Sequence, residues 1–174
     1  MTVNEFLEEL KGLTGGKIIK EDGMGNIIDA AKRPFSRLYA DYDKHYIKAD
    51  FLDASEILLE VNMAPPCRLL LRPENIVSKL LDKVNLSAEV KIGDAEFDAK
   101  YIVQNLTEDD AKKFLNDKFK KTLDTLTPFL SFEMTNNEYK LIKCVDIKSA
   151  YKPQDAFKDL QNLILLAEIT KGRA

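Results

Sequence analysis

The stretch Gly93-Asp94-Ala95-Glu96-Phe97-Asp98-Ala99-Lys100-Tyr101-Ile102-Val103 decides how the fold of this chain is read. Its apolar and polar residues alternate with the period of an extended backbone. That places Phe97, Ala99, Tyr101 and Val103 on one face and Asp98, Lys100 and Gln104 on the other. The expectation is a strand with one face on the core. Directly after it, Thr107 and Asp110 have the spacing of a capping box, and Glu108, Asp109 and Asp110 suit the positive end of a helix dipole. Ala111, Phe114, Leu115, Phe119, Leu123 and Leu126 then recur at helical spacing until Thr127-Pro128. One helix over 107–126, lying on a sheet, is expected.

Working outward toward the carboxyl end, strands over 129–135 and 139–146 flank Asn136-Asn137, residues that tolerate a tight turn, so a hairpin is predicted. Pro153 suits the first position of a last helix over 153–171, whose Ala156, Phe157, Leu160, Leu163, Ile164 and Ala167 mark a buried face. Toward the amino end, extended segments are expected near 36–42, 45–51, 56–63 and 67–72, forming a meander, with a helical segment opening at Pro73. Thr2 and Glu5 form a capping box for a short first helix that Gly12 to Gly16 would end. Five of the seven glycines fall within the first 25 residues, so the segment after that helix reads as loop-rich or mobile. The sum is a single α+β domain over 1–174: a mostly antiparallel sheet with the two longer helices packed on one face, and residues 1–35 a short helix plus a glycine-rich segment.

Composition excludes several classes. A net charge of −3 and a pI near 5.4 give no electrostatic footprint for nucleic acid or an anionic membrane, which both call for concentrated positive charge. No apolar run approaches membrane-spanning length and the amino terminus lacks a secretory pattern, so a soluble, cytoplasmic protein is expected by default. Cys67 and Cys144 are too few and too far apart for a disulfide framework or a zinc ribbon, and read as reduced thiols in or near the core.

The chemistry-bearing patterns are sparse. Thr14-Gly15-Gly16-Lys17 is one residue short of a phosphate loop and has Ile18 where a magnesium-binding hydroxyl belongs; it reads as a helix stop. Gly23-x-Gly25 lacks the third glycine of a dinucleotide fingerprint. Asp94, Glu96 and Asp98 alternate, so an extended backbone would set three carboxylates on one face, where oxygen ligands could hold a hard cation. Asp41, Asp43, Asp50 and Asp53 could complete such a cluster only if the fold gathered them. His45, the only histidine, shares a strand face with Ile47, Ala49 and Phe51 and reads as a satisfied residue at the core edge. Lys112, Lys113, Lys118, Lys120 and Lys121 make the helix after the motif locally basic, and Arg68 and Arg72 could share a strand face. Such lysines usually line a solvated helix face.

The order GD-x-x-FD-x-x-Y-x-V, then a helix with the Phe114-Leu115 pair, a stop at Leu123–Leu126, a hairpin and a leucine-rich last helix resembles bacterial domains of unknown function. The resemblance covers roughly 68 to 171. It implies the α+β unit and transfers no catalytic residue; some similar domains follow membrane helices, which this chain lacks.

No catalytic or cofactor-binding residue is therefore assigned, and no cofactor is indicated. The leading expectation is a non-catalytic interaction or ligand-binding module of a soluble bacterial protein, with a protein partner or self-association. The alternatives are a metal-assisted hydrolase or transferase using Asp94, Glu96 and Asp98, and a carrier of a small apolar ligand.

Overall fold

The computed structural model describes residues 1–21, 35–53, 55–74, 89–135 and 137–172. In chain order they form α1 (Val3–Thr14), β1 (Lys17–Glu21), β2 (Phe35–Tyr42), β3 (His45–Phe51), β4 (Glu56–Asn62), β5 (Leu69–Pro73), α2 (Ala95–Lys100), β6 (Tyr101–Gln104), α3 (Glu108–Phe114), α4 (Asp117–Thr125), β7 (Ser131–Met134), β8 (Glu138–Cys144) and α5 (Pro153–Lys171). The strands make one sheet in the order β1-β2-β3-β4-β8-β7-β5-β6, every neighbouring pair antiparallel. The protein is α+β, as expected, and β2, β3 and β4 form the expected meander; β1 is an additional edge strand, and the fourth expected segment, β5, departs from the meander, because β8 takes its place beside β4 and β5 pairs instead with β7 and β6. The glycine-rich Gly23-Met24-Gly25-Asn26 and most of the helical segment expected after Pro73 lie outside the described residues.

Register sorts the side chains by face. The pairs Leu38↔Ala49, Ala49↔Leu59, Leu59↔Leu141, Leu141↔Phe132, Phe132↔Leu71 and Leu71↔Val103 carry one apolar row across seven strands. All of these residues are buried, because α1, α4 and α5 lie over this face. Phe6 of α1 meets the Phe51 ring edge-on at 5.3 Å and Phe119 of α4 meets Phe132 at 6.0 Å. On the opposite face charges pair across strands: Arg37 with Asp50 at 2.7 Å, Lys48 with Glu60 at 2.5 Å and Lys140 with Glu60 at 3.5 Å. Cross-strand ion pairs of this kind suit residues that a period of two puts opposite one another.

Helix ends follow the capping chemistry. Thr2 Oγ1 accepts from Glu5 N while Thr2 N donates to Glu5 Oε2 at 2.8 Å, the expected reciprocal box. At the other end of α1, Gly15 takes the left-handed conformation, φ 73°, and Gly16 lies so close to β2 that a Cβ would meet the Tyr39 carbonyl oxygen at 2.4 Å. The Thr14-Gly15-Gly16-Lys17 run is thus a helix stop and a close backbone approach. Pro153 opens α5 as expected.

Two expectations are corrected. The run 107–126 is two helices, because Asn116 Oδ1 accepts from the amides of Lys118 and Phe119 and so starts a new helix one residue after the buried Leu115. The second correction concerns the motif. Residues 95–100 are helical and the strand begins only at Tyr101.

A charged group is buried under α5. Lys143, on the core face of β8, donates to Asp159 Oδ2 at 2.8 Å, and Tyr151 Oη donates to the same oxygen at 2.7 Å. The Lys143 and Asp159 side chains are each 8% exposed. Burial pushes the Asp159 carboxyl up from its ordinary value even against Lys143, and burial together with Asp159 pushes the Tyr151 phenol far up. Tyr151 in turn stacks on Phe6 at 5.9 Å, which ties α1 to this group.

Candidate functional site

The motif folds as a helix because its carboxylates are used locally. Asp94 Oδ1 accepts from the amides of Glu96 and Phe97, the cap of α2. Asp98 reaches back, its two oxygens accepting from Ile92 N and Gly93 N at 3.0 Å each, while Gly93 sits at φ 80°. Glu96 accepts from Lys100 Nζ at 2.8 Å, one helical turn on. These local bonds outweigh the alternation, and Phe97 and Tyr101 both reach the core as i and i+4 neighbours. Asp94, Glu96 and Asp98 therefore do not share a strand face, and the extended geometry that motivated a metal site there is absent. Among the described residues no three His, Cys, Asp or Glu side chains gather as metal ligands.

The motif instead lines two adjoining hollows. One, of about 240 Å³, is bounded by Asp94, Glu96, Lys100, Asp117, Lys120 and Asp124, with Phe97 and Lys121 completing it. Lys120 Nζ donates to Asp94 Oδ2 at 2.6 Å and stands 5.4 Å from the centre of the Phe97 ring. This lysine, followed by the backbone amide of Phe97, holds the Asp94 carboxyl below the usual carboxylate range. The second hollow, of about 540 Å³, shares Lys100 and Asp124 with the first and runs between Pro73, Ala99, Tyr101, Pro128 and Phe129. Behind it lie Tyr101 and Phe129, both buried. Phe97 and Tyr101 lie 4.9 Å apart, and Tyr101 stacks on Phe129 at 5.7 Å with planes 4° apart. Tyr101 Oη donates to Asp124 Oδ1 at 3.2 Å, and burial followed by the Asp124 charge moves the phenol well up.

The other sequence candidates lie elsewhere. His45 Nε2 is 3.1 Å from Glu168 Oε1 with only 11% of its side chain exposed, the satisfied histidine expected at the core edge. Cys67 is half-buried, with its thiol pushed up to about 11 mainly by burial, and Cys144 is exposed. Asp50 is held by Arg37, Asp53 accepts from Ser55 N, and Asp43 lies in the β2–β3 turn with φ 48°. Lys112 and Lys113 are exposed on α3, whereas Lys120 and Lys121 belong to the motif hollow. Arg68 borders a separate hollow of about 350 Å³ with Asn105 and Glu133, and Arg72 pairs in register with Ile102.

Asp117, Lys120, Lys121 and Asp124 were not expected to join the motif. Their spacing of i, i+3, i+4 and i+7 is a polar stripe on one side of α4, and that signal is visible in the sequence. Nothing in the sequence alone brings Phe129 under Tyr101.

No protein-family model and no curated protein matches this chain. A solved structure does share its fold: the mycobacterial trehalose monomycolate transport factor A, TtfA. The two superpose with a TM-score of 0.66 at 8% identity, over 95% of this chain and 92% of that one. At this identity the likeness establishes a common architecture and carries no site residue across. Among the described residues no helix is long and apolar enough to cross a membrane.

Proposed function

We propose that this chain is a non-catalytic binding module whose working surface is the ring-backed groove built by the GDAEFDAKY motif, α4 and residues 127–129. The observation that carries the reading is the division of labour inside the motif. Its three carboxylates cap, brace and pair, while its rings and its exposed Ala99 and Lys100 face the groove. A volume of about 540 Å³ falls in the range of sites that hold ligands or side chains of a partner, roughly 300–1,000 Å³. The fold shared with a protein described as a transport factor supports a role in binding or handing on rather than in bond making. The bacterial domains of unknown function that the motif resembles are consistent with the same role.

A second reading, carriage of a small apolar ligand, draws on the same groove, since Tyr101 and Phe129 behind it would receive an acyl or ring group.

Photo-crosslinking tests the first reading. A benzophenone amino acid placed at Ala99, in the cells that make the protein, should yield a discrete adduct with a second protein. The same probe at Glu9, on the exposed side of α1, should not. Equal adducts from both positions, or none from Ala99, would overturn it. A lipid-sized adduct from Ala99 alone would transfer support to the carrier.

A further inference from the structure

The groove also has a polarity. The two hollows are lined by five carboxylates, Glu74, Asp94, Glu96, Asp117 and Asp124, against three lysines. Two of those lysines are already committed, Lys120 to Asp94 and Lys100 to Glu96. Glu74 and Asp124, at the mouth of the apolar hollow, make no ion pair among the described residues. Among the described residues Asp124 accepts from the neutral Tyr101 hydroxyl, with Lys100 the cation near it and Lys91 the cation near Glu74. An apolar lining under a negative rim suits a group that is apolar along its length and positive at its tip.

Resting on the binding-module reading, we infer that the partner presents a peptide segment in which lysine or arginine alternates with large apolar residues. An apolar side chain would sit on Tyr101 and Phe129, and the neighbouring cation would lie between Glu74 and Asp124. The extension of the groove from Phe129 through Lys100 to Asp94 gives room for several residues of such a segment.

Three capped six-residue peptides test this on the full-length, isotope-labelled protein by amide chemical-shift titration: alternating leucine and lysine, leucine and glutamate, serine and lysine. The leucine–lysine peptide should shift the amides of Ala99, Lys100, Asp124 and Thr127, with the other two at least about tenfold weaker. Glu74→Lys, at an exposed residue, should weaken the leucine–lysine peptide about threefold to tenfold, and Ala99→Arg should block it by placing a tethered cation in the mouth. If all three peptides shift the groove alike, or the serine and leucine peptides bind equally, the inference falls while the groove remains a binding surface. If none binds and crosslinking at Ala99 still succeeds, the inference alone falls. If both fail, the module reading falls with it.

Discussion

Asp94 and Asp159 each accept from a lysine at hydrogen-bond distance, 2.6 and 2.8 Å, yet they belong to regions of opposite character. Asp159 is closed between β8, α5 and Tyr151 with 8% of its side chain exposed, whereas Asp94 has 37% exposed at the rim of the motif groove. Under α5 a charge that cannot reach water must keep its partner, so the pair acts as a registration mark between sheet and helix. At the motif the charge is cheap to expose, and the same kind of pair becomes part of a surface that can exchange partners.

The most severe way to break that contrast is to remove one member of the buried group. Lys143→Met leaves Asp159 beside Tyr151 without its cation and should cost roughly 3–5 kcal/mol, read as a lowered denaturation midpoint at unchanged slope. The triple change Lys143→Met, Asp159→Leu and Tyr151→Phe replaces the whole group with apolar residues and should recover most of that loss. If the single change costs less than about 1 kcal/mol, the buried pair is not a registration mark between sheet and helix.

A smaller effect is expected at the brace of the motif. Asp98→Ala frees the amides of Ile92 and Gly93, one part-buried and one exposed, and should cost roughly 1–2 kcal/mol. Hydrogen exchange should quicken at those two amides and through α2, while the amides of β8 and α5 keep their protection. Loss of protection throughout the sheet would show that the motif is part of the main core and not a separable surface unit.

These two regions also mark what the sequence could and could not disclose. The inner face was legible because an apolar period of two fixes which side of a strand is buried, so His45–Phe51 and Glu56–Asn62 fall within a residue of their expected limits. The motif is ambiguous because Phe97, Ala99 and Tyr101 satisfy a strand period while Phe97 and Tyr101 also satisfy a helical one. The deciding information was Asp94 as a cap and Asp98 as a backward brace, and Asn116 played the same part in splitting 107–126. Capping residues settle such ties, at Asp94 and Asn116 as at Thr2 and Thr107. The groove itself needed long-range placement: Phe129 beneath Tyr101 and Asp124 beside it depend on how α4 and β6 meet.

The least perturbing test of the contrast is acid titration of stability, because the two aspartates should respond with opposite sign. The folded-state value of Asp94 lies below the ordinary 3.8, through Lys120 first and the Phe97 amide next. Its contribution is therefore present above 3.8 and lost as pH falls through the lowered value. Asp159 lies above 3.8, with burial the first cause, so the folded protein holds that proton more tightly than the unfolded chain. Its contribution is complete below 3.8 and is lost as pH rises through the raised value. The stability difference between the parent and Asp94→Asn should accordingly grow with pH across the window below 3.8, and the difference between the parent and Asp159→Asn should shrink with pH across the window above it. Slopes of the same sign in the two differences would mean that Lys143 controls Asp159 more strongly than burial does, and the division between a buried registration pair and an exchangeable surface pair would lose its electrostatic basis.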